Sequence, residues 1–292
     1  MKLRRELMVH GYQIGVVILN YRDAATTERL CRKISSYDII DHIVIVDNQS
    51  PDDSYGVLSK LCSAKVDVIQ SDKNGGYSYG NNVGANYLID KYQIDILYIA
   101  NPDVEFEELF IEKTADVIIS GRAEAAGGVM LMPDGRPGVD GTRINRYVDD
   151  LLDCTLLLKH LIRKKKNPVY PGKEIVDTEF LYGSLFGINA AVFREIGGFD
   201  ESVFLYCEER ILGKKLTDRG YRLVIDTSVS YLHRHAVSVE RSVKKVEQIR
   251  ILYQSRRYYY QNYVRLSKFR QWIMNLGMGY GLLIRRLVYL FV

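Results

Sequence analysis

Apolar and polar positions follow two rhythms along the first 130 residues. Short apolar runs rich in β-branched residues occur at 13–20 (QIGVVILN), 42–47 (HIVIVD), 66–70 and 94–100 (IDILYIA), each bounded by turn-forming residues as buried strands are. The stretches between them, 24–36, 52–62, 77–92 and 105–120, carry apolar residues at helical spacing, as at Leu30 and Ile34. Continuous apolar strands separated by helical segments of about 10–15 residues predict βαβ units and a mostly parallel sheet flanked by helices. A fifth strand is expected at 125–132, turned by the PDG of 133–135. Residues 134–178 lose this regularity, and their RKKKNPVYPGK stretch reads as a solvated loop or an anion-binding segment. Strand signals return at 180–188, 223–225 and 229–233, with a helix over 208–219 stopped by Gly220. From about Val239 the pattern is helical to the last residue.

Composition narrows the class without changing this outline. A chain of 292 residues with 47% hydrophobic and 26% charged positions fits one large globular domain, or one with an appendage. A net charge of +4 gives no case for a nucleic-acid partner. The cysteines at 31, 62, 154 and 207 form no CxxC pair, which argues against a zinc site or a disulfide framework and predicts a reducing compartment. The charged MKLRREL start has no apolar core, so no signal peptide is expected. Many of the 22 tyrosines fall among arginines in the last quarter, a mixture suited to a membrane–water interface.

Polar residues with chemical potential lie at the predicted strand ends. Asn20-Tyr21 closes the first strand, Asp47-Asn48 the second and Asn101-Pro102-Asp103 the fourth. Pro102 cannot donate to a sheet ladder, so Asp103 is presented just past a strand's carboxyl end, where open α/β sheets bind ligands. Asp103 is there either as a divalent-cation ligand or as part of a helix start, since NPDVEFEEL also has helix-start chemistry. DKNGGYSYGNNVG at 72–84 offers glycines for close backbone approach and a helix start for an anion. It is neither a GxGxxG nor a GxxxxGK[ST] element. Glu208-Glu209 opens the predicted 208–219 helix, as a general-base pair or simply as acids placed to suit the helix dipole. His233 and His235 end a strand on one face and could both contribute to a site. Asp200 could bind acceptor hydroxyls or hold a turn.

Together VVILNY, IVIVDNQSPDDS, KNGGYSYGNN, YIANPDV, GINAAVFREIGGFDES, FLYCEE and YLHRHAVS resemble, in order and spacing, the inverting family-two glycosyltransferases of the GT-A fold. The similarity covers roughly 13–240 and is greatest to the bacterial branch of rhamnosyl- and galactosyltransferase-like enzymes that build surface polysaccharides. It implies a Rossmann-like catalytic domain over 1–238, with its nucleotide-binding half at about 13–132 and its acceptor half at about 178–238. The helical segment would be 239–292. It further implies that Asp47, Asn20 and Tyr21 form the base and ribose pocket and that Asn74, Gly75 and Asn101 lie along the nucleotide-sugar. Asp103, with His233 and His235, would hold Mg²⁺ or Mn²⁺. Glu209, with Glu208 as alternate, would be the base, and Asp200 would face the acceptor. Where many relatives have a first acid this chain has Asn101, and Ile211 replaces a further acid after the pair.

The implied partners are a UDP- or dTDP-sugar and a lipid-linked or polysaccharide acceptor, at the cytoplasmic face of the cell membrane; a homo-oligomer is compatible with this. Residues 272–292 approach the roughly 20 apolar residues of a membrane span, but Arg285 and Arg286 favour an interfacial helix with arginines at the headgroups. A helix packed on its own catalytic domain is the alternative. Two other functions fit the layered pattern. A sugar-phosphate nucleotidyltransferase should have a Gly-rich loop after the first strand, which LNYRDAATT lacks, and a non-catalytic sugar-nucleotide-binding protein would not need the acid pair.

Overall fold

The computed structural model describes residues 11–138, 143–154, 174–234 and 245–288. The four apolar runs of the N-terminal half form β1 (Ile14–Asn20), β2 (His42–Asp47), β3 (Val66–Gln70) and β4 (Ile96–Ala100). They pair in parallel in the order β3-β2-β1-β4. Asn20 stands opposite Asp47 and Asp47 opposite Gln70, so three strands end at one level. The crossovers carry α1 (Ala24–Ser35), the short α2 (Ser54–Leu58) and α3 (Gly76–Tyr92). Helix α1 turns Leu30 and Ile34 fully inward, each contributing about 1.5–3 kcal/mol by burial. Helix α3 sits unusually close to the sheet because a Cβ at Gly80 or Gly84 would stand 2.3 Å from the Leu19 side chain or 2.6 Å from that of Val17.

Past β4 the sheet becomes mixed. It continues through β8 (Leu185–Asn189), β6 (Ala125–Leu131) and β9 (Leu223–His233) to the two-residue β5 (Val104–Glu105), while β7 (Ile175–Asp177) also pairs with β9. Strand β8 runs antiparallel to β4, with Gly187 opposite Tyr98, whose ring a Cβ would approach to 2.7 Å. The Tyr98 hydroxyl is bonded to Thr114 at 2.7 Å on α4 (Glu108–Ile119). This mixed sheet with helices on both faces agrees with the predicted fold class.

Three local expectations differ from the structure. The runs at 223–225 and 229–233 are a single strand, because a register shift between Gly128 and Val129 of β6 accommodates the polar Asp226–Ser228 between them. The helix expected from 105 starts at Glu108, since Val104 and Glu105 pair with β9 instead. Tyr147–Cys154 forms a helix, α5, in the stretch read as irregular.

The expected C-terminal helices are α8 (Lys245–Tyr259), a π-helical turn (Tyr260–Val264) and α9 (Lys268–Val288). Beyond the short α6 (Ala190–Glu195) that follows β8, they join α5 and α7 (Glu208–Thr217) in a separate apolar cluster containing Cys154, Cys207, Ile211, Tyr253, Met274 and Met278. No described helix is long and apolar enough to cross a membrane. The two arginines do not share an environment. Arg286 is exposed, but Arg285 turns inward and donates to the Tyr253 hydroxyl at 2.5 Å and the Asp153 carbonyl at 3.3 Å.

Candidate active site

The carboxyl ends of β1 and β2 are tied by buried polar side chains. Asn20 donates to Asp47 at 2.8 Å and accepts from Thr27 at 2.9 Å, all three being completely or almost completely buried. Asp47 also accepts from the Ser50 amide and Gln70, each at 3.0 Å. Its carboxylate therefore sets the shape of the strand-end turn. Tyr21 stands beside this network, half-buried.

The next residue carries the network onward. Asn48 donates to Asn74 and to the Gly76 carbonyl, each at 3.1 Å, and accepts from Ser71. Gly75 is the N-cap of α3, and Gly76 has φ +85. A Cβ on Gly76 would lie 2.0 Å from the Phe204 carbonyl oxygen, to which the Tyr77 amide donates at 3.0 Å. The glycines of 72–84 thus divide their work. Gly80 and Gly84 seat the helix on the sheet, and Gly76 admits the 204 turn to the helix start.

That turn leads to the acid pair. Tyr206 and Cys207 both lie in the left-handed region, at φ 70 and 67, immediately ahead of Glu208. Such conformations cost about 1–3 kcal/mol each in residues other than glycine and persist only where surrounding packing fixes them. Here Cys207 is buried in the C-terminal cluster, and Ser255 of α8 donates to the Leu205 carbonyl at 2.7 Å. The turn separates the environments of the two acids. Glu208 is buried, and its Oε2 has no hydrogen-bond partner among the described residues. Burial, followed by the neighbouring Glu209, pushes its carboxyl up to about 8, well above the ordinary carboxylate range. Glu209 is half-buried and accepts from the Gly183 amide at 3.0 Å. The Gly183 carbonyl accepts from the Tyr77 hydroxyl at 2.6 Å, closing the chain of contacts from Asn20 to Glu209. Burial, with both glutamates adding to it, raises the Tyr77 phenol well above its ordinary value.

The next residue, Ser184, links the acid pair to the end of β4. Its carbonyl accepts from the Asn101 amide at 2.8 Å, and its hydroxyl meets that of Tyr231 at 2.7 Å. Asp103 is buried, and its carboxylate lies 3.3 Å from Nε2 of His233 across the β5–β9 pairing. His235 lies outside the described residues. Among those residues no group of three or more His, Cys, Asp or Glu side chains is arranged to hold a metal. One carboxylate and one imidazole fit a cation that takes its remaining ligands from phosphate oxygens and water.

Asp200 faces the C-terminal helices. It accepts from Tyr258 at 2.9 Å, Tyr263 at 2.6 Å and the Ser202 amide at 2.9 Å. Burial alone would raise its carboxyl, but these bonds outweigh it and hold the group below its ordinary value. A cavity of about 390 Å³ lies along α7, lined by residues including Lys214, Thr217, Tyr259 and Tyr260, and contains none of the residues nominated from the sequence.

An ion cluster that the sequence did not suggest lies behind the acid pair. Arg210 makes two bonds to the fully buried Asp150 of α5, at 2.5 and 3.2 Å. Asp150 also accepts from Tyr260 at 2.8 Å, while Arg256 of α8 lies 3.6 Å from Asp150 and 2.9 Å from Asp153. In sequence Arg210 and Arg256 lie far from Asp150, and each looks like ordinary surface charge until the helices pack.

A mixed α/β sheet flanked by helices, with polar side chains level at its strand ends, places the chain among GT-A folds. The chain belongs to glycosyl transferase family 2, whose model matches residues 15–197. It is 30% identical over 206 residues to the low-salt glycan biosynthesis hexosyltransferase Agl10 of Haloferax volcanii, covering 67% of this chain and 59% of that protein. It is 23% identical over 222 residues to the rhamnosyltransferase WbbL of Escherichia coli, covering 72% of this chain and 79% of that one. An N-acetylglucosaminyl-diphospho-decaprenol L-rhamnosyltransferase of Mycobacterium tuberculosis matches at 28% over half of this chain and 49% of its own length. The chain thus spans under two thirds of the first and third of these relatives. The fold matches that of GalNAc-T7, solved with UDP, GalNAc and Mn²⁺, at a TM-score of 0.60 and 14% identity over 91% of this chain and 55% of that one. It also matches the mannosyltransferase PcManGT of Pyrobaculum calidifontis, solved with GDP-Man and Mn²⁺, at 0.58 and 13% over 92% and 72% of the two chains.

Proposed function

We propose that this protein is an inverting glycosyltransferase that moves a sugar from a UDP- or dTDP-sugar to a lipid-linked or polysaccharide acceptor in surface-glycan synthesis. In this reading 1–238 is the catalytic domain, 239–292 is its helical appendage, and the protein works peripherally on the cytoplasmic face of the membrane. The observation that carries it is the unbroken hydrogen-bonded rim from Asn20 through Asn48, Gly76, Tyr77 and Gly183 to Glu209. A nucleotide along β1–β3 and an acceptor at Glu209 would then share one rigid edge. The names of the Haloferax, Escherichia and Mycobacterium relatives support a glycan acceptor.

The acid pair divides its roles by environment. A base must be ionised at working pH, which favours the half-exposed Glu209 over Glu208, whose burial opposes ionisation. Glu209 takes the acceptor hydroxyl proton while the acceptor oxygen bonds to the anomeric carbon. The bond from that carbon to the diphosphate oxygen breaks on the opposite face, and the nucleoside diphosphate leaves with the electron pair. Asp103 and His233 would hold a Mg²⁺ or Mn²⁺ ion, which supplies positive charge against the diphosphate. Asp47 and Asn20 hold the base-side turn, with Tyr21, Asn74, Gly75 and Asn101 along the donor, and Asp200 fixes the acceptor-side loop against the C-terminal helices.

Titration calorimetry with a panel of nucleotide-sugars, with and without Mn²⁺, paired with a transfer assay tests the reading. Glu209→Gln should lower transfer by about 10²–10⁴-fold while leaving donor affinity within about twofold. Full turnover by that variant would remove Glu209 as the base. Donor binding without transfer by the wild type would favour a non-catalytic sugar-nucleotide-binding protein, and pyrophosphate release from a nucleoside triphosphate would favour a nucleotidyltransferase.

A further inference from the structure

Helix α9 has two opposed apolar faces, and among the described residues only one of them meets protein. Met274 and Met278 are buried, and Gly281 lies so close to α5 that a Cβ there would stand 2.5 Å from the Cys154 carbonyl oxygen. On the opposite side Phe269, Trp272, Leu276, Tyr280 and Leu283 are 43–68% exposed. At 3.6 residues per turn these five fall within an arc of about 80°, roughly opposite the two methionines. The Phe269 and Trp272 rings stack at 6.2 Å between centroids, giving the stripe a flat aromatic end.

Charge distinguishes what could cover this face. From 248 to the last residue the sequence has no aspartate or glutamate. The exposed Lys268 and Arg286 fall on one flank of the stripe and the exposed Arg265 precedes the helix, whereas Arg270 lies further round with its guanidinium over the Tyr147 ring of α5. Lys268, Arg286 and Arg265 enter none of the ion pairs among the described residues. Arg285, nominally the neighbour of Arg286, is instead turned inward to Tyr253. A second copy of the same face would bring like charges together, whereas anionic headgroups would neutralise them. The helix is about 30 Å long and unsuited to spanning, but a cation-flanked stripe of Phe, Trp, Leu and Tyr has the chemistry of one lying in the bilayer interface.

We propose that the face of α9 formed by Phe269, Trp272, Leu276, Tyr280 and Leu283 docks flat on a bilayer rich in anionic phospholipid, with Lys268 and Arg286 at the headgroups. This deepens, and rests on, the reading of a lipid-linked acceptor, because it names the surface that would bring the protein to such a substrate. Arg285 takes no part in the contact, and the catalytic rim stays with the sheet.

The test is co-sedimentation of the full chain with vesicles of phosphatidylcholine alone or mixed with phosphatidylglycerol, without nucleotide-sugar. The wild type should bind the mixed vesicles, and rising salt should weaken the binding. The double substitution Trp272→Glu with Leu276→Glu should reduce partitioning by on the order of tenfold or more. Lys268→Gln with Arg286→Gln should weaken the preference for the anionic mixture. Both variants should keep wild-type melting temperature and transfer to a short-chain, water-soluble acceptor analogue. Vesicle binding unchanged by the glutamates would overturn the assignment. So would a wild-type protein that ignores both vesicles but is a dimer by light scattering and becomes monomeric in the glutamate variant. Because the binding assay needs no sugar transfer, an inactive protein that still binds vesicles through this face would refute the glycosyltransferase reading and leave the docking face standing.

Discussion

Asp150→Ala is the most informative single substitution, because it strikes the ion cluster behind the acid pair without touching the site. The Asp150 side chain is wholly buried, and those of Arg210 and Arg256 are only 17% and 6% exposed. Removing the carboxylate takes from the Arg210 guanidinium the acid it is bonded to, leaves Arg256 with Asp153, and deprives the Tyr260 hydroxyl of its acceptor. Losing one partner of a buried ion pair typically costs about 3–5 kcal/mol, dominated by the charge left behind. At roughly 2–3 °C per kcal/mol for a chain of this size, the melting temperature should fall by about 6–15 °C. Differential scanning calorimetry measures this, with Asp134→Asn as control. Asp134 pairs with Arg136 in the open, so its loss should stay within about 0.5 kcal/mol. The second arm combines Asp150→Ala with Arg210→Met. With one stranded cation removed, the double variant should be more stable than the sum of its parts by about 1–3 kcal/mol. Transfer activity should fall in Asp150→Ala and partly return in the double variant, since Arg210 adjoins Glu209. A melting temperature within 1–2 °C of wild type, or strict additivity, would refute the claim that this cluster holds the base helix in place.

Three further outcomes follow from the same geometry. Glu208 has a folded-state value raised to about 8, so the native state holds its proton more tightly than the unfolded chain and stability falls as pH rises from about 4.5 through 8. Glu208→Gln should accordingly melt higher than wild type at pH 9, with the difference shrinking towards pH 5; a constant difference across that range would remove the buried acid as its cause. Gly76→Ala should destabilise by about 2 kcal/mol or more, since the new Cβ meets the Phe204 carbonyl in a left-handed backbone. Gly121→Ala, at φ +68 in open space, should lose only the conformational part, and equal denaturant midpoints would deny the 204 contact any weight. Asp103→Ala should abolish both transfer and its dependence on added Mn²⁺; an unchanged cation titration would place the metal elsewhere.

The first four strands and the polar residues at their ends were legible in the sequence for a local reason. A strand buried on both faces must be apolar throughout, so Ile14–Asn20 and Ile96–Ala100 announce themselves, and the residue that ends each run must lie at the sheet's edge. Family resemblance then pointed to Glu209, Asp103 and His233, and the fold brings the last two within 3.3 Å of each other. The same resemblance implies that Asp200 faces the acceptor, and the fold adds that its carboxylate accepts from Tyr258 and Tyr263 of the helical segment. Its local sequence, GGFDES, carries no trace of partners some sixty residues away.

What only the tertiary structure decided concerns pairings between distant segments. Strands β5 and β7 are too short to carry a period of their own and exist because β9 offers them an edge. Asp150, Arg210 and Arg256 are three surface-like charges in sequence, and become a buried cluster only when α5, α7 and α8 converge. Arg285 and Arg286 are adjacent in the chain, yet helical rotation of about 100° per residue sends one to Tyr253 and the other outward. The left-handed backbone at Tyr206 and Cys207 has no glycine to announce it, because packing rather than residue type sustains it. Hydrophobic period is written in neighbouring residues and so determines the elements. The partner of a buried charge, and the face a helix turns outward, depend on which elements meet, which no local stretch of sequence contains.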